Sequence, residues 1–385
     1  MIAQSSLGYI NKIFANVMEV KGAELDALLH DLRAAGVIIP SGEGRSKGAL
    51  SIACSEMAKM QGGKLILDRS DIGFPGRSLR EAAEVLRRRY GYVTLLIVSG
   101  SGRSMMPLLD AQSLASYLAE HDEAKRYFMI DAITSDPESP IAKLASGYGN
   151  VLTLKGREVG DEPIEPSQFR SVGILEDVFT LGSSLLLQGV ARALHEGAPS
   201  QRALEYVEKL GSEIVRTLEE AVRSEFFSQV LYKAEQRHVV FLGGLGSAQE
   251  VARMTAIRIG HVKRAVGDYV FVAGETSTPP PRVGDLLLVI SRSGETEVVS
   301  SWCENFKQLG GYVAALVGRK ESTIGSLADT AFEIPETAEP GAPSDFYLKA
   351  AFVLSPLPIY LVERMEQRGL RLPEYIIRWH HSVTA

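Results

Sequence analysis

Two glycine-rich turns, each placed directly after a short apolar run, recur far apart in the chain, and this recurrence constrains the fold more than any other feature. Val37 to Pro40 runs into Ser-Gly-Glu-Gly-Arg-Ser (41–46), and Val239 to Leu242 runs into Gly-Gly-Leu-Gly-Ser (243–247). Taking 42 from 244 gives an offset of 202 between Gly42 and Gly244. An amphipathic stretch precedes each turn, Glu24 to Ala35 in one case and Leu204 to Gln236 in the other. The next landmarks follow in the same order. Thr94 to Val98 leads into Ser-Gly-Ser-Gly-Arg-Ser (99–104), and Leu286 to Ile290 into Ser-Arg-Ser-Gly-Glu-Thr (291–296). Taking 99 from 291 gives 192, so the first copy carries about ten extra residues near Phe74 to Arg89, the size of one loop insertion. Glu138 to Ala145 then echoes Glu321 to Ala328. The chain is a diverged tandem duplication.

Short apolar strands alternating with helical stretches imply parallel sheets covered on both faces. The pattern predicts strands near 37–40, 64–68, 93–98, 126–131 and 150–154, and again near 238–242, 269–273, 285–290, 312–317 and 331–334. A long helix is expected to close each copy, at 174–195 and 346–368. The expected fold class is α/β, with two three-layer αβα sandwiches and a five-stranded parallel sheet in each. The tract Gly-Ala-Pro-Ser (197–200) marks the boundary between domains at 1–196 and 200–385. For 385 residues, two domains is also the prior from length.

A net charge of −6, from 47 acidic and 41 basic side chains, argues against an electrostatic nucleic-acid partner. Recognition of a phosphate would have to be local, from backbone amides and hydroxyls. Residues 1–10 lack the basic segment and apolar core of a signal peptide, and runs such as Leu286 to Ile290 are far too short to cross a bilayer. No membrane partner is expected, and a cytoplasmic location is expected by default. Cys54 and Cys303 stand far apart, suggest neither a disulfide framework nor a zinc site, and are read as helical core residues.

Parallel α/β sheets bind ligands at the carboxyl ends of strands, where helix N-termini present free amides. The candidate phosphate-binding residues fall at such junctions: Gly244, Gly246, Ser247, Ser291, Ser293 and Thr296 in the second copy, and Gly42, Gly44, Arg45, Ser46, Ser99, Ser101 and Ser104 in the first. One Ser or Thr there is explained by helix capping; three hydroxyls around one helix start, found twice, are harder to explain that way. Two residues of the second copy could move protons: Glu275, just past a strand, as general base, and His261, on the helix after the glycine-rich turn.

Val239 through Ile334, with its glycine-rich loop, His261, Gly-Glu-Thr (274–276) and Ser-x-Ser-Gly-Glu-Thr, resembles 6-phospho-3-hexuloisomerase, a member of the sugar-isomerase (SIS) superfamily. The Arg-Trp-His-His ending resembles the basic end of that family. The first copy resembles the superfamily more loosely, through its two loops and Leu175-Glu176-Asp177. The resemblance implies a phosphosugar isomerase that moves a carbonyl along a ketohexose 6-phosphate through a cis-enediol, with no cofactor and no metal. Carried over by position, Glu275 is the base, His261 the acid or orienting group, and Ser291, Ser293 and Thr296 hold the phosphate. The small-molecule partner is then a sugar phosphate, and a homodimer is the expected assembly.

The family's features are divided between the copies. The usual Gly-x-Gly-Arg-Ser survives as Gly42 to Ser46, while the second copy reads Gly244-Leu245-Gly246-Ser247-Ala248. The first copy lacks Gly-Glu-Thr, and an ungapped pairing sets Asp71 opposite Glu275. It has Arg103 where the second copy has Glu295, and Glu176 where the second copy has Lys349. Three readings remain open: a composite site built from both halves, catalysis by the second half alone, or a sugar-phosphate sensor without turnover. Aldose–ketose isomerisation or aminosugar-phosphate deamination are the alternative reactions.

Overall fold

The computed structural model describes residues 8–72, 78–157, 178–275 and 277–370. Glu176, Thr276, the insertion from Phe74 and the Arg-Trp-His-His tail lie wholly or partly outside them. In the first half, α1 (Gly8–Met18) and α2 (Gly22–Ala34) precede β1 (Val37–Gly42) and α3 (Gly44–Lys59). Then come α4 (Leu79–Tyr90), β2 (Val93–Val98), α5 (Met105–Glu120), β3 (Phe128–Thr134), α6 (Pro140–Tyr148), β4 (Val151–Thr153) and α7 (Val178–Glu196). The second half opens with α8 (Ser200–Arg223) and α9 (Glu225–Glu235), followed by β5 (Val240–Gly243), α10 (Ser247–Ala265) and β6 (Val270–Val272). It continues through β7 (Leu286–Ser291), α11 (Glu297–Gln308), β8 (Tyr312–Val317), α12 (Thr323–Leu327), β9 (Thr330–Glu333), α13 (Phe346–Leu354) and α14 (Leu357–Gln367).

Both sheets are parallel throughout, in the orders β1-β2-β3-β4 and β6-β5-β7-β8-β9. Their central strands are apolar on both faces, as helices above and below demand: β2 (VTLLIV) and β7 (LLLVIS) are buried at every residue. The fifth position of the first sheet, expected at 64–68, shrinks to one bridge between Ile66 and Ile38. Two backbone bonds hold it, Ile38 N to Leu65 O at 2.9 Å and Leu67 N to Ile38 O at 3.0 Å. Its counterpart β6 is only three residues long, so both sheets end in a short edge that offers little to a neighbouring strand. With that bridge counted, the two halves share one strand order. The order reverses between β5 and β7, and likewise between β1 and β2, which opens a crevice at their carboxyl ends.

Two expectations shift. The strand expected at 126–131 begins only at Phe128, because residues 122–127 form a 3₁₀ turn. The closing helix expected at 346–368 is two helices, broken at Ser355–Pro356 where proline has no N–H to continue the ladder. This stretch is apolar and long enough to cross a bilayer, but it lies buried in the fold. The tract at 197–200 does fall between helices, with Gly197 at φ +63°. One continuous apolar core nevertheless runs through both halves, from Ile13 and Leu186 to Val251 and Phe352. Cys54 and Cys303 are buried in α3 and α11, and burial pushes both thiols up to about 12.

A buried carboxylate pair lies beneath the first sheet. Asp131 Oδ1 accepts from the Asn150 amide at 3.0 Å, and Asn150 Nδ2 donates to Asp31 Oδ2 at 2.5 Å. Burial first, and then the neighbouring Asp31 charge, push Asp131 up to about 8. The folded state therefore holds a proton that the unfolded chain has released, so stability falls as pH rises from about 4 through about 8. Asp131→Asn keeps the acceptor and removes the charge. Its unfolding free energy should exceed wild type by about 1–3 kcal/mol at pH 8 and by less at pH 5, measured by urea denaturation.

Candidate functional site

Strand β7 ends in buried Ser291, whose hydroxyl accepts from the Gly294 amide at 3.1 Å. Gly294 adopts φ +69°, and a Cβ there would fall 2.0 Å from Ser322 Oγ, so the tight turn requires glycine. Thr296 occupies the N-cap of α11 but makes no side-chain capping bond; its hydroxyl lies 3.4 Å from Ser291 Oγ. Exposed Ser293 accepts from the Glu295 amide at 3.2 Å. Ordinary caps in the same fold behave differently: Ser139 and Ser322 each accept from the amide three residues on, at 3.3 Å. Capping does not account for Thr296, and its hydroxyl remains able to serve an anion at the helix start.

The neighbouring loop, after β5, approaches its own helix closely. A Cβ on Gly244 would meet Ala248 Cβ at 2.7 Å, and Gly246 takes φ +59° before buried Ser247 opens α10. Glu275 follows β6, one strand further out, so the loops after β6, β5 and β7 share one edge of the sheet over about 10 Å. Gly274, at φ +89°, packs where a Cβ would come 2.7 Å from Trp302 of α11, which leans the Glu275 loop on the helix that follows Ser291. Exposed Glu275 pairs with Arg253 of α10 at 3.3 Å, and Arg253 also binds Glu250 at 2.6 Å.

The first half repeats the plan with different charges. Ser99 Oγ lies 2.9 Å from Ser104 Oγ, Ser104 stands uncapping at the N-cap of α5, and Gly102 (φ +62°) abuts Ser139 as Gly294 abuts Ser322. Ser101 accepts from the Arg103 amide at 3.3 Å. The Arg103 guanidinium is held by buried Asp136 at 2.5 Å; against the upward push of burial, this bond keeps the carboxyl below its ordinary range. Gly42 ends β1, Gly44 turns at φ +56°, and Arg45 and Ser46 lie in the first turn of α3. Asp71 sits exposed in a 3₁₀ turn, its carboxylate accepting from the Asp68 amide at 3.2 Å.

Solved structures with the same architecture cover nearly the whole chain. Tagatose-6-phosphate ketose/aldose isomerase from Escherichia coli superposes over 100% of this chain and 99% of its own, with TM-score 0.55 and 12% identity. The C-terminal domain of glucosamine-fructose-6-phosphate aminotransferase from Francisella tularensis covers 92% and 95%, with TM-score 0.55 and 13% identity. The chain shares the fold of these sugar-phosphate proteins. No family model matches it. Among curated proteins, 3-hexulose-6-phosphate isomerase of Mycobacterium gastri is 42% identical over 96 residues, 25% of this chain and 46% of the relative. The Bacillus subtilis protein of the same name is 36% identical over 108 residues, 28% and 54% respectively. The chain thus spans about half the length of the curated relatives it matches.

The two halves meet along α3 and α10, the helix that carries both His261 and the partner of Glu275. Glu275 is tied to Arg253, whereas His261 lies eight residues, about 12 Å, further along α10. Burial, then the charges of Arg258 and Arg45, lower the imidazole of His261 below its ordinary value. Arg45, Thr255 and Arg258 line one small cavity there. At the opposite end of the helix pair, Lys59 reaches across from α3, its Nζ 3.4 Å from Ser247 Oγ. Glu56, 2% exposed, accepts from the Ser344 amide at 2.9 Å. Sequence reasoning passed over Lys59, although the offset of 202 sets it opposite His261. Lys349, which stands where the family has a glutamate, is buried and bound to Glu213 of α8 at 2.8 Å, a packing role within the fold.

A lowered imidazole means the unfolded chain takes the proton first. Stability should therefore drop as pH falls through the ordinary histidine value of about 6.5. His261→Gln removes this dependence. Chemical denaturation at about pH 7.5 and about pH 5.5 should show wild type losing more stability than the variant.

Proposed function

We propose that the chain is a phosphosugar isomerase working at the second-half loops, where it interconverts ketohexose 6-phosphates of the 3-hexulose 6-phosphate and fructose 6-phosphate type. The observation that carries this reading is the hydroxyl cluster of Ser291, Ser293 and Thr296, of which Thr296 makes no capping bond, at the same sheet edge as Glu275. Curated relatives carrying the name 3-hexulose-6-phosphate isomerase support the substrate class. The phosphate sits on the three hydroxyls and the amides that open α11, with the sugar extending toward the loops after β5 and β6. Glu275 removes the proton from the hydroxyl-bearing carbon beside the carbonyl while the carbonyl oxygen gains one, which gives a cis-enediol. Returning the carbon proton to the former carbonyl carbon, with loss of a proton from the other hydroxyl, leaves the carbonyl moved by one carbon.

Ser293→Ala removes a charge-assisted hydrogen bond worth about 1.5–3 kcal/mol, so affinity for fructose 6-phosphate should fall about tenfold or more in calorimetric titration. Unchanged affinity places the phosphate elsewhere. Glu275→Gln should retain most of this binding and lose about 10²–10⁴-fold in turnover, followed as deuterium incorporation from solvent. Wild-type turnover in that variant moves the base to another carboxylate, with Asp71 or Glu43 next.

One observation favours the sensor reading: the Glu275 carboxylate is engaged by Arg253. Absence of deuterium exchange with every ketohexose phosphate tried, alongside measurable binding, decides for it.

A further inference from the structure

We propose that Lys59, a side chain of the first half, is the cationic contact of the second-half site and that its ammonium pairs with the phosphate of a bound sugar phosphate. The inference rests on the reading of that site given above and adds a substrate-contacting residue to it.

Charge supply is the first argument. The glycine-rich loop of the first half carries Arg45, and the same offset of 202 places uncharged Ser247 at the equivalent position of the second half. Two other basic side chains near the second-half loops also face acids: Arg253 is held by Glu250 and Glu275, and Arg292, on the strand-end turn itself, faces Glu336 at 3.7 Å, while Lys59 has Glu56 at 3.4 Å and half its side chain open. A phosphate dianion at these loops would otherwise face hydroxyls, amides and these acid-paired cations.

Geometry is the second. Lys59 is the last residue of α3, and its Nζ lies 3.4 Å from Ser247 Oγ, beside the amide-rich start of α10. Half of its side chain is open to solvent, so a ligand can reach it. Its ammonium lies over Tyr347, with Nζ 5.5 Å from the ring centroid, and 3.4 Å from Glu56. Glu56 is simultaneously occupied by the Ser344 amide, which leaves the ammonium with donors to spare for an anion. The loops after β5 and β7 are on adjacent strands about 5 Å apart, so a phosphate on Ser291 and Thr296 falls within reach of a cation at Ser247.

The test is calorimetric titration of the full chain with fructose 6-phosphate and with inorganic phosphate, at low and at high salt. Wild type, Lys59→Ala, Lys59→Arg and Ser293→Ala are compared. Lys59→Ala should weaken binding of both ligands by about tenfold or more at low salt and flatten the salt dependence, while Lys59→Arg should remain near wild type. Lys59→Met keeps an unbranched apolar side chain of similar length and should behave as Lys59→Ala, which excludes loss of packing as the cause. If Ser293→Ala loses binding while Lys59→Ala and Lys59→Met bind as wild type does, the assignment of Lys59 is overturned and the second-half site stands. If wild type takes up neither ligand, the site reading fails and the assignment of Lys59 with it.

Discussion

The antiparallel crossing of α3 and α10 is the contact on which the rest of the molecule depends. It is close because Gly48 has no side chain: a Cβ there would come 2.6 Å from Met254 Cγ and 3.5 Å from the Glu250 carbonyl. Helices that approach so tightly fix their relative register, since knobs and backbone leave no slack for sliding. That register brings Lys59 to Ser247 at one end, and Arg45 toward His261 at the other. Each helix begins at its own sheet's glycine-rich turn, and the end of α3 reaches the turn of the opposite sheet.

A second set of buried polar contacts ties the halves next to that crossing, where the Ser344 amide also bonds Glu56 of α3. Gln188 of α7 donates to the Ser344 carbonyl and to Asp345, both at 3.0 Å, and Tyr206 of α8 donates to Asp345 at 2.5 Å. Burial raises the Asp345 carboxyl in spite of those donors. Lys349, Glu213 and Thr337 continue the network. Removing one member of such a cluster strands the others in a low-dielectric setting, and Gln188 and Glu56 make the first half part of it.

Most of the architecture was legible in the sequence because it is written in local patterns. Strands such as β2 and β8 are uninterrupted apolar runs, and the loops that follow β1, β2, β5 and β7 combine glycine with hydroxyl residues. The uncapped state of Thr296 and Ser104 was not legible, since a sequence does not say whether a hydroxyl turns toward the helix amides. The charge environment of His261 was not legible either, because Arg45, whose charge acts on it, lies far away along the chain. Lys59 was passed over for the mirror reason: only the helix crossing brings it to Ser247. The break at Pro356 was open to reading, because proline interrupts a helix by its own covalent structure.

Duplication inside one chain has a consequence for symmetry. Were the halves two copies of one polypeptide, both crevices would receive the same residue from the partner's helix end, and any change there would alter both at once. Fusion removes that obligation. Here one crevice receives an ammonium and the other an imidazole with a guanidinium beside it, from positions that correspond along the duplicated sequence. An arginine kept in one glycine-rich turn and lost from the other follows the same division. The covalent link lets two ancestrally alike crevices drift to different electrostatic characters while each still leans on the other's scaffold.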